Sequence, residues 1–97
     1  MSQPALTPLQ RPAAIRERLR QALQATRVEV EDQSERHRGH AGARDGRGHY
    51  ALRIEAEVFR GQTLLACHRL VYAALGDWMQ SDIHALTIRA EVPSAGA

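Results

Sequence analysis

The sequence predicts an α+β fold, a two-layer sandwich with helices on one face of a small mixed three-stranded sheet. Three observations predict it. Two segments carry apolar residues at helical spacing, and three others alternate apolar with polar residues at strand spacing. The order helix, strand, strand, helix, strand then segregates the helices onto one side of the sheet. At 97 residues the chain is one domain, large enough for one modest core and no deep cavity.

Ala13 to Gln24 reads as the first helix. Ile15, Leu19, Ala22 and Leu23 recur at i, i+4, i+7 and i+8 and share a face. Pro12 suits a first-turn position, where its missing N–H costs nothing. Arg27 to Asp32 reads as a strand, with Val28 and Val30 on one side and Arg27, Glu29 and Glu31 on the other. Glu35 to Gly48 is a loop of Gly, Arg and His that brings almost nothing apolar. Loops this long in so small a domain are functional or disordered. His49 to Val58 is the clearest strand: Tyr50, Leu52, Ile54, Ala56 and Val58 alternate with Ala51, Arg53, Glu55 and Glu57. With Arg27–Asp32 it should form an antiparallel pair.

Arg60-Gly61-Gln62 turns the chain into the main helix, Thr63 to about Met79. Leu64, His68, Val71, Leu75 and Trp78 form its stripe, widened by Leu65 and Tyr72. Gly76 and Ser81-Asp82 weaken and then end it. Ile83 to Val92 is the last strand, with Leu86, Ile88, Ala90 and Val92 on one face. His84 has the parity of that face but stands at the strand's entrance, where the sheet edge meets solvent. The pattern leaves open which edge this strand joins. The expected limits are a flexible tail over 1–12, the domain over 13–92 and a flexible tail over 93–97.

Composition narrows the function. All 13 basic residues are Arg, and the formal net charge is only +2. General nucleic-acid binding needs a basic face that neutralises several phosphates, which this charge does not supply. No apolar run approaches the roughly 20 residues of a membrane-spanning helix, and Met1–Gln10 lack a signal peptide's basic start and apolar stretch. A single Cys makes no internal disulfide and fits a reducing compartment, so a cytoplasmic location is expected. No paired carboxylates or nucleophile–base constellation stands at useful spacing, so no enzyme is expected. Cys67 reads as a small helix residue and not a nucleophile, and His68 as a hydrogen-bonded packing histidine. Gly39-x-x-Gly42 lies between two strands, whereas the backbone clamp of a KH domain joins two helices. His37-x-x-His40 lacks the further ligands of a closed zinc site.

One set of residues is more specific in combination than singly: Phe59, Gly61, Leu64, Leu65, His68, Arg69, Val71, Tyr72 and Leu75, followed by His84-Ala85-Leu86. Val28, Val30 and Asp32 in the first strand, and Ser34 and His37 at the loop's start, add to it. Together with the order of elements they resemble the BolA family, over roughly Ile15 to Val92. Cys67 departs from the pattern, standing where the family has the first Arg of Arg-His-Arg. The resemblance implies a fold like class II KH domains. It also implies partnership with a monothiol glutaredoxin carrying glutathione, with a bridging 2Fe–2S cluster between the two proteins. It makes His84 one metal ligand and His37 the other, with His49 and His40 as rivals. Arg69 is a candidate for docking the partner. Some family members are described as transcriptional regulators, so a DNA-binding regulator is the alternative reading.

The chemistry suits those residue types. Iron–sulfur clusters are held by thiolates, but two His can replace two Cys on one iron. A chain with one Cys builds no cluster alone, so a partner must bring thiolates; alone, the chain should be a monomer or weak homodimer. Neutral imidazole is the ligand form, so protonation near the free-His pKa of about 6.5 should loosen the site.

Overall fold

The computed structural model describes residues 6–34 and 46–94. The elements are α1 (Arg11–Leu23), β1 (Arg27–Asp32), β2 (Gly48–Glu55), a 3-10 turn (Glu57–Phe59), α2 (Leu64–Leu75), α3 (Trp78–Ser81) and β3 (Ile83–Glu91). The predicted α+β class holds: one mixed sheet in the order β1-β2-β3, antiparallel between β1 and β2 and parallel between β2 and β3. The edge left open by the sequence is therefore beside β2, and α2 and α3 form the crossover that a parallel pair requires.

The core lies between the sheet and the two long helices. Ile15, Leu19 and Leu23 of α1 and Cys67, Val71 and Leu75 of α2 meet Tyr50, Leu52 and Ile54 of β2. The other face of the sheet is charged, with Arg53 bonded to Glu91 (2.7 Å) and near Glu29 (3.6 Å). Exposed pairs of this kind contribute little to stability, because water screens the charges and holding two long side chains in place costs entropy. No helix among the described residues is long and apolar enough to cross a membrane.

Three boundaries differ from the sequence reading. Helix α1 begins at Arg11, so Arg11 and Pro12 are its first turn and not the end of a tail. Arg11 is 6% exposed because its Nε donates to buried Asp82 (3.2 Å). Strand β2 stops at Glu55, and the 3-10 turn swings Val58 into solvent while Phe59 is buried. The long helix is two helices, because Gly76 takes a left-handed φ of +55°. Arg18 staples that break: its guanidinium lies 3.4 Å over the Trp78 ring, and its Nη1 donates to the Leu75 carbonyl.

The stripe of α2 is also rotated. Cys67, Val71 and Leu75 face the core, whereas Leu64 and Leu65 are 66% and 60% exposed. Phe59 is buried in the core where Leu64 is not, and the Cys67 thiol contacts the Phe59 carbonyl (3.9 Å). Thr63 caps the helix, its hydroxyl accepting from the Ala66 N–H (3.0 Å).

Gly48 opens β2 directly beneath Tyr50. A Cβ at this position would overlap the Tyr50 hydroxyl and ring, and Tyr50 is fully buried. Gly48→Ala should therefore cost about 1–3 kcal/mol, the usual scale of overpacking. Urea unfolding would measure it, and an unchanged midpoint would mean that the tyrosine yields freely.

Candidate functional site

The topology gathers the end of β1 and the starts of β2 and β3 at one rim of the sheet. Antiparallel β1 finishes where β2 begins, and parallel β3 begins there too. Ser34, Arg47, His49 and His84, far apart in sequence, converge at this rim.

A bulge decides where His84 points. Gly48 pairs with Ile83, but His49 pairs with Ala85, so His84 has no counterpart on β2. Ile83 is fully buried, His84 is exposed, and Leu86 returns to the half-buried side. Parity alone places His84 on the apolar face; the extra residue turns it out to solvent. Re-aiming a side chain beside a functional site is a recurrent use of such bulges.

His49 is the neighbour of His84. Their ring centroids are 5.1 Å apart and the planes are inclined at 53°. The backbone of His49 is held on both sides by the residues that follow β1. Its N–H donates to the Ser34 hydroxyl (3.1 Å), and its carbonyl accepts from the Gln33 N–H (2.7 Å). Ser34, picked out in the sequence as the start of the loop motif, thus positions His49.

These residues can be tested as metal ligands. Two imidazoles on one tetrahedral ion, with metal–nitrogen distances near 2 Å, have centroids roughly 5 Å apart. The spacing of His49 and His84 fits that. His84 is open to solvent, whereas the ring nitrogens of His49 are buried. His84 presents itself directly, and His49 must turn outward to join it. Among the described residues no three His, Cys, Asp or Glu side chains cluster as a metal site. Cys67 is buried in the helical layer, away from this rim. The donor set offered here is imidazole, and any thiolate must come from outside the chain.

His37 and His40, and the Gly39–Gly42 stretch, lie outside the described residues. His68 is half-buried on α2, in keeping with a packing role. The hydrogen bond expected of it is not formed: its Nε2 is buried with no partner among the described residues. Arg69 is exposed and lines a shallow groove of about 320 Å³ with Gln62, Thr63, Leu65, Ala66 and Leu70. The first turns of α2 follow the far end of β2, so this groove is separate from the histidine rim.

Arg47 is the residue that sequence reasoning missed. Its Nη2 lies 2.9 Å from His84 Nδ1. In the sequence it is one Arg among several in a Gly/Arg/His loop, and its only signal is its place two residues before His49.

Comparison with known proteins follows the same lines. A family model described as BolA, BolA-like protein, matches residues 19–95. The BolA domain of SufE1 from Arabidopsis thaliana superposes with a TM-score of 0.77 at 43% identity, covering 92% of this chain and 96% of that one. SufE-like protein 1, chloroplastic/mitochondrial, from the same plant is 44% identical over 85 residues, covering 82% of this chain but only 23% of the relative. The DNA-binding transcriptional regulator BolA of Escherichia coli (strain K12) is 34% identical over 74 residues, 76% of this chain and 68% of the relative. Relatives named for BolA1 are longer; the chain spans 54% of the Arabidopsis thaliana chloroplastic protein and 58% of the Bos taurus one.

Proposed function

The chain belongs to the BolA-like family, and from that premise we propose that it is a non-enzymatic adaptor that binds a monothiol glutaredoxin and shares with it a bridging 2Fe–2S cluster. Its role lies in iron–sulfur trafficking or iron sensing, in a reducing compartment such as the cytoplasm. The observation that carries the reading is the exposed His84, lifted from the ladder by a bulge, with a second imidazole 5.1 Å away. A chain that offers imidazole and keeps its one thiol buried suits half of a shared site.

The bound cluster would supply an iron able to take nitrogen in place of sulfur. The chain's own residues do the rest. His84 ligates from a rigid strand start, since Ile83 beside it is fully buried. His49 is the second ligand supported by position, and His37 remains a candidate from the loop. The glutaredoxin cysteine and glutathione supply the thiolates. Leu64, Leu65 and Arg69 offer a separate docking surface along α2, apolar with one positive charge.

Mixed anaerobically with a monothiol glutaredoxin, glutathione, iron and sulfide, the chain should co-elute with its partner as a coloured complex. A colourless mixture, or colour confined to glutaredoxin alone, contradicts the reading. In the same experiment Arg69→Glu should weaken association by up to about tenfold with the visible spectrum unchanged. A charge at the rim of an interface acts mainly on encounter. Loss of the spectrum in that variant would place Arg69 in the cluster site.

The alternative is a DNA-binding regulator, which the name of the Escherichia coli relative favours. The net charge of +2 and the ion-paired outer sheet face offer little to a phosphate backbone. A specific, salt-dependent shift of duplex DNA by the isolated chain would support this alternative.

A further inference from the structure

We propose that Arg47 is a guard on His84: in the unloaded chain it holds the one imidazole lone pair that a metal would need. The inference rests on the reading of His84 as a ligand. It follows from a single contact, Arg47 Nη2 to His84 Nδ1 at 2.9 Å. A guanidinium only donates, so Nδ1 is the acceptor. A neutral imidazole has one lone pair and one N–H, so the proton sits on Nε2. While the contact lasts, neither ring nitrogen can ligate. Binding through Nδ1 requires Arg47 to leave, and binding through Nε2 requires the proton to move to Nδ1, which expels Arg47 as well.

The consequence is selectivity. His84 is exposed at the bulge, where any adventitious metal ion could reach it. With Arg47 in place, a ligand exchange succeeds only when other contacts, such as those of a docked partner, compensate for the lost hydrogen bond. Arg47 immediately precedes β2, whose first residue, Gly48, pairs with Ile83 just before the bulge, so the chain's entry into the strand brings it to His84. Its positive charge also opposes a bare metal cation more than a cluster wrapped in thiolates. Arg47 is therefore a positioning residue: it fixes the tautomer of His84 and sets which metal species can claim it.

The test uses the full chain without partner or metal. At about pH 8, where free imidazole is neutral, nitrogen NMR of the histidine rings should find His84 as the Nε2–H tautomer. Arg47→Met should release it to a mixture. In acylation by diethyl pyrocarbonate, read by peptide mass mapping, the free lone pair of His84 attacks the reagent's carbonyl carbon and expels ethyl carbonate; this should run about two- to tenfold faster in Arg47→Met, the scale of one net hydrogen bond. Zn²⁺ binding should strengthen by a similar factor in that variant, and the gain should vanish on a His84→Ala background. An Nδ1–H tautomer in the unchanged chain overturns the guard while leaving the ligand reading intact. Unchanged acylation and Zn²⁺ affinity in Arg47→Met overturn it too. If His84→Ala leaves a glutaredoxin-shared cluster unaltered, the ligand reading fails and the guard loses its purpose, whatever tautomer is found.

Discussion

Asp82→Ala should lower the unfolding free energy by about 3–5 kcal/mol, the cost of stranding one member of a buried ion pair. Asp82 is 1% exposed and Arg11 6%. One carboxylate oxygen accepts from Arg11 Nε at 3.2 Å and the other from the Ser81 hydroxyl. The Asp82 carbonyl accepts from the Gly48 N–H (2.9 Å). One residue thus ties the start of α1, the end of α3 and the start of β2 together, directly before Ile83 and His84. Against a total stability of about 5–15 kcal/mol for a domain, the loss is large. At roughly 4–8 °C per kcal/mol for a chain of this size, the melting temperature should fall by well over 10 °C. The double change Arg11→Met with Asp82→Leu should recover most of the loss, because an apolar pair of similar volume leaves no stranded charge. Urea unfolding with a constant m-value would measure both. A change below about 1 kcal/mol in Asp82→Ala would mean that the pair is solvated and that the histidine rim is held by other contacts.

His84→Ala should shorten retention of the shared cluster by at least about tenfold to a hundredfold, since losing even an outer partner of a ligand costs that much. Stability should hardly change, because the side chain is exposed and lies outside the ladder. That separation makes the variant informative: the fold survives while the ligand goes. His49→Ala is less clean, since His49 is 7% exposed and its removal disturbs packing. Retention is read as the decay of the visible spectrum after excess iron and glutathione are removed from the complex. An unchanged decay in His84→Ala would move the site elsewhere on the chain.

Local pattern carried much of the fold. Tyr50, Leu52 and Ile54 alternate strictly and are all buried. Ile15, Leu19 and Leu23 stand at helical spacing and face the core. What escaped was set by tertiary context. The Arg11–Asp82 pair spans 71 positions, and nothing local marks either residue as buried. The stripe of α2 was misplaced at its first turn because Phe59, brought in by the 3-10 turn, fills the core there. The split at Gly76 was legible as a weak point but not as a positive-φ turn. His84 stands out in the sequence by its motif, yet its exposure comes from a register shift that no alternation rule contains. The nearness of His49 to His84 follows from the parallel pairing of β3 with β2, which the sequence left open. The role of Arg47 depends on the same pairing.

A histidine nitrogen of this chain bound to iron is the direct signature of the shared site. The complex is assembled from the chain labelled with ¹⁵N-histidine and an unlabelled monothiol glutaredoxin, and the cluster is reduced. Pulsed electron paramagnetic resonance should then detect strong ¹⁵N hyperfine coupling that disappears when His84→Ala replaces the unaltered chain. A reduced cluster with no coupling to the labelled histidines, or with coupling that persists in His84→Ala, would contradict the assignment of His84 as its ligand.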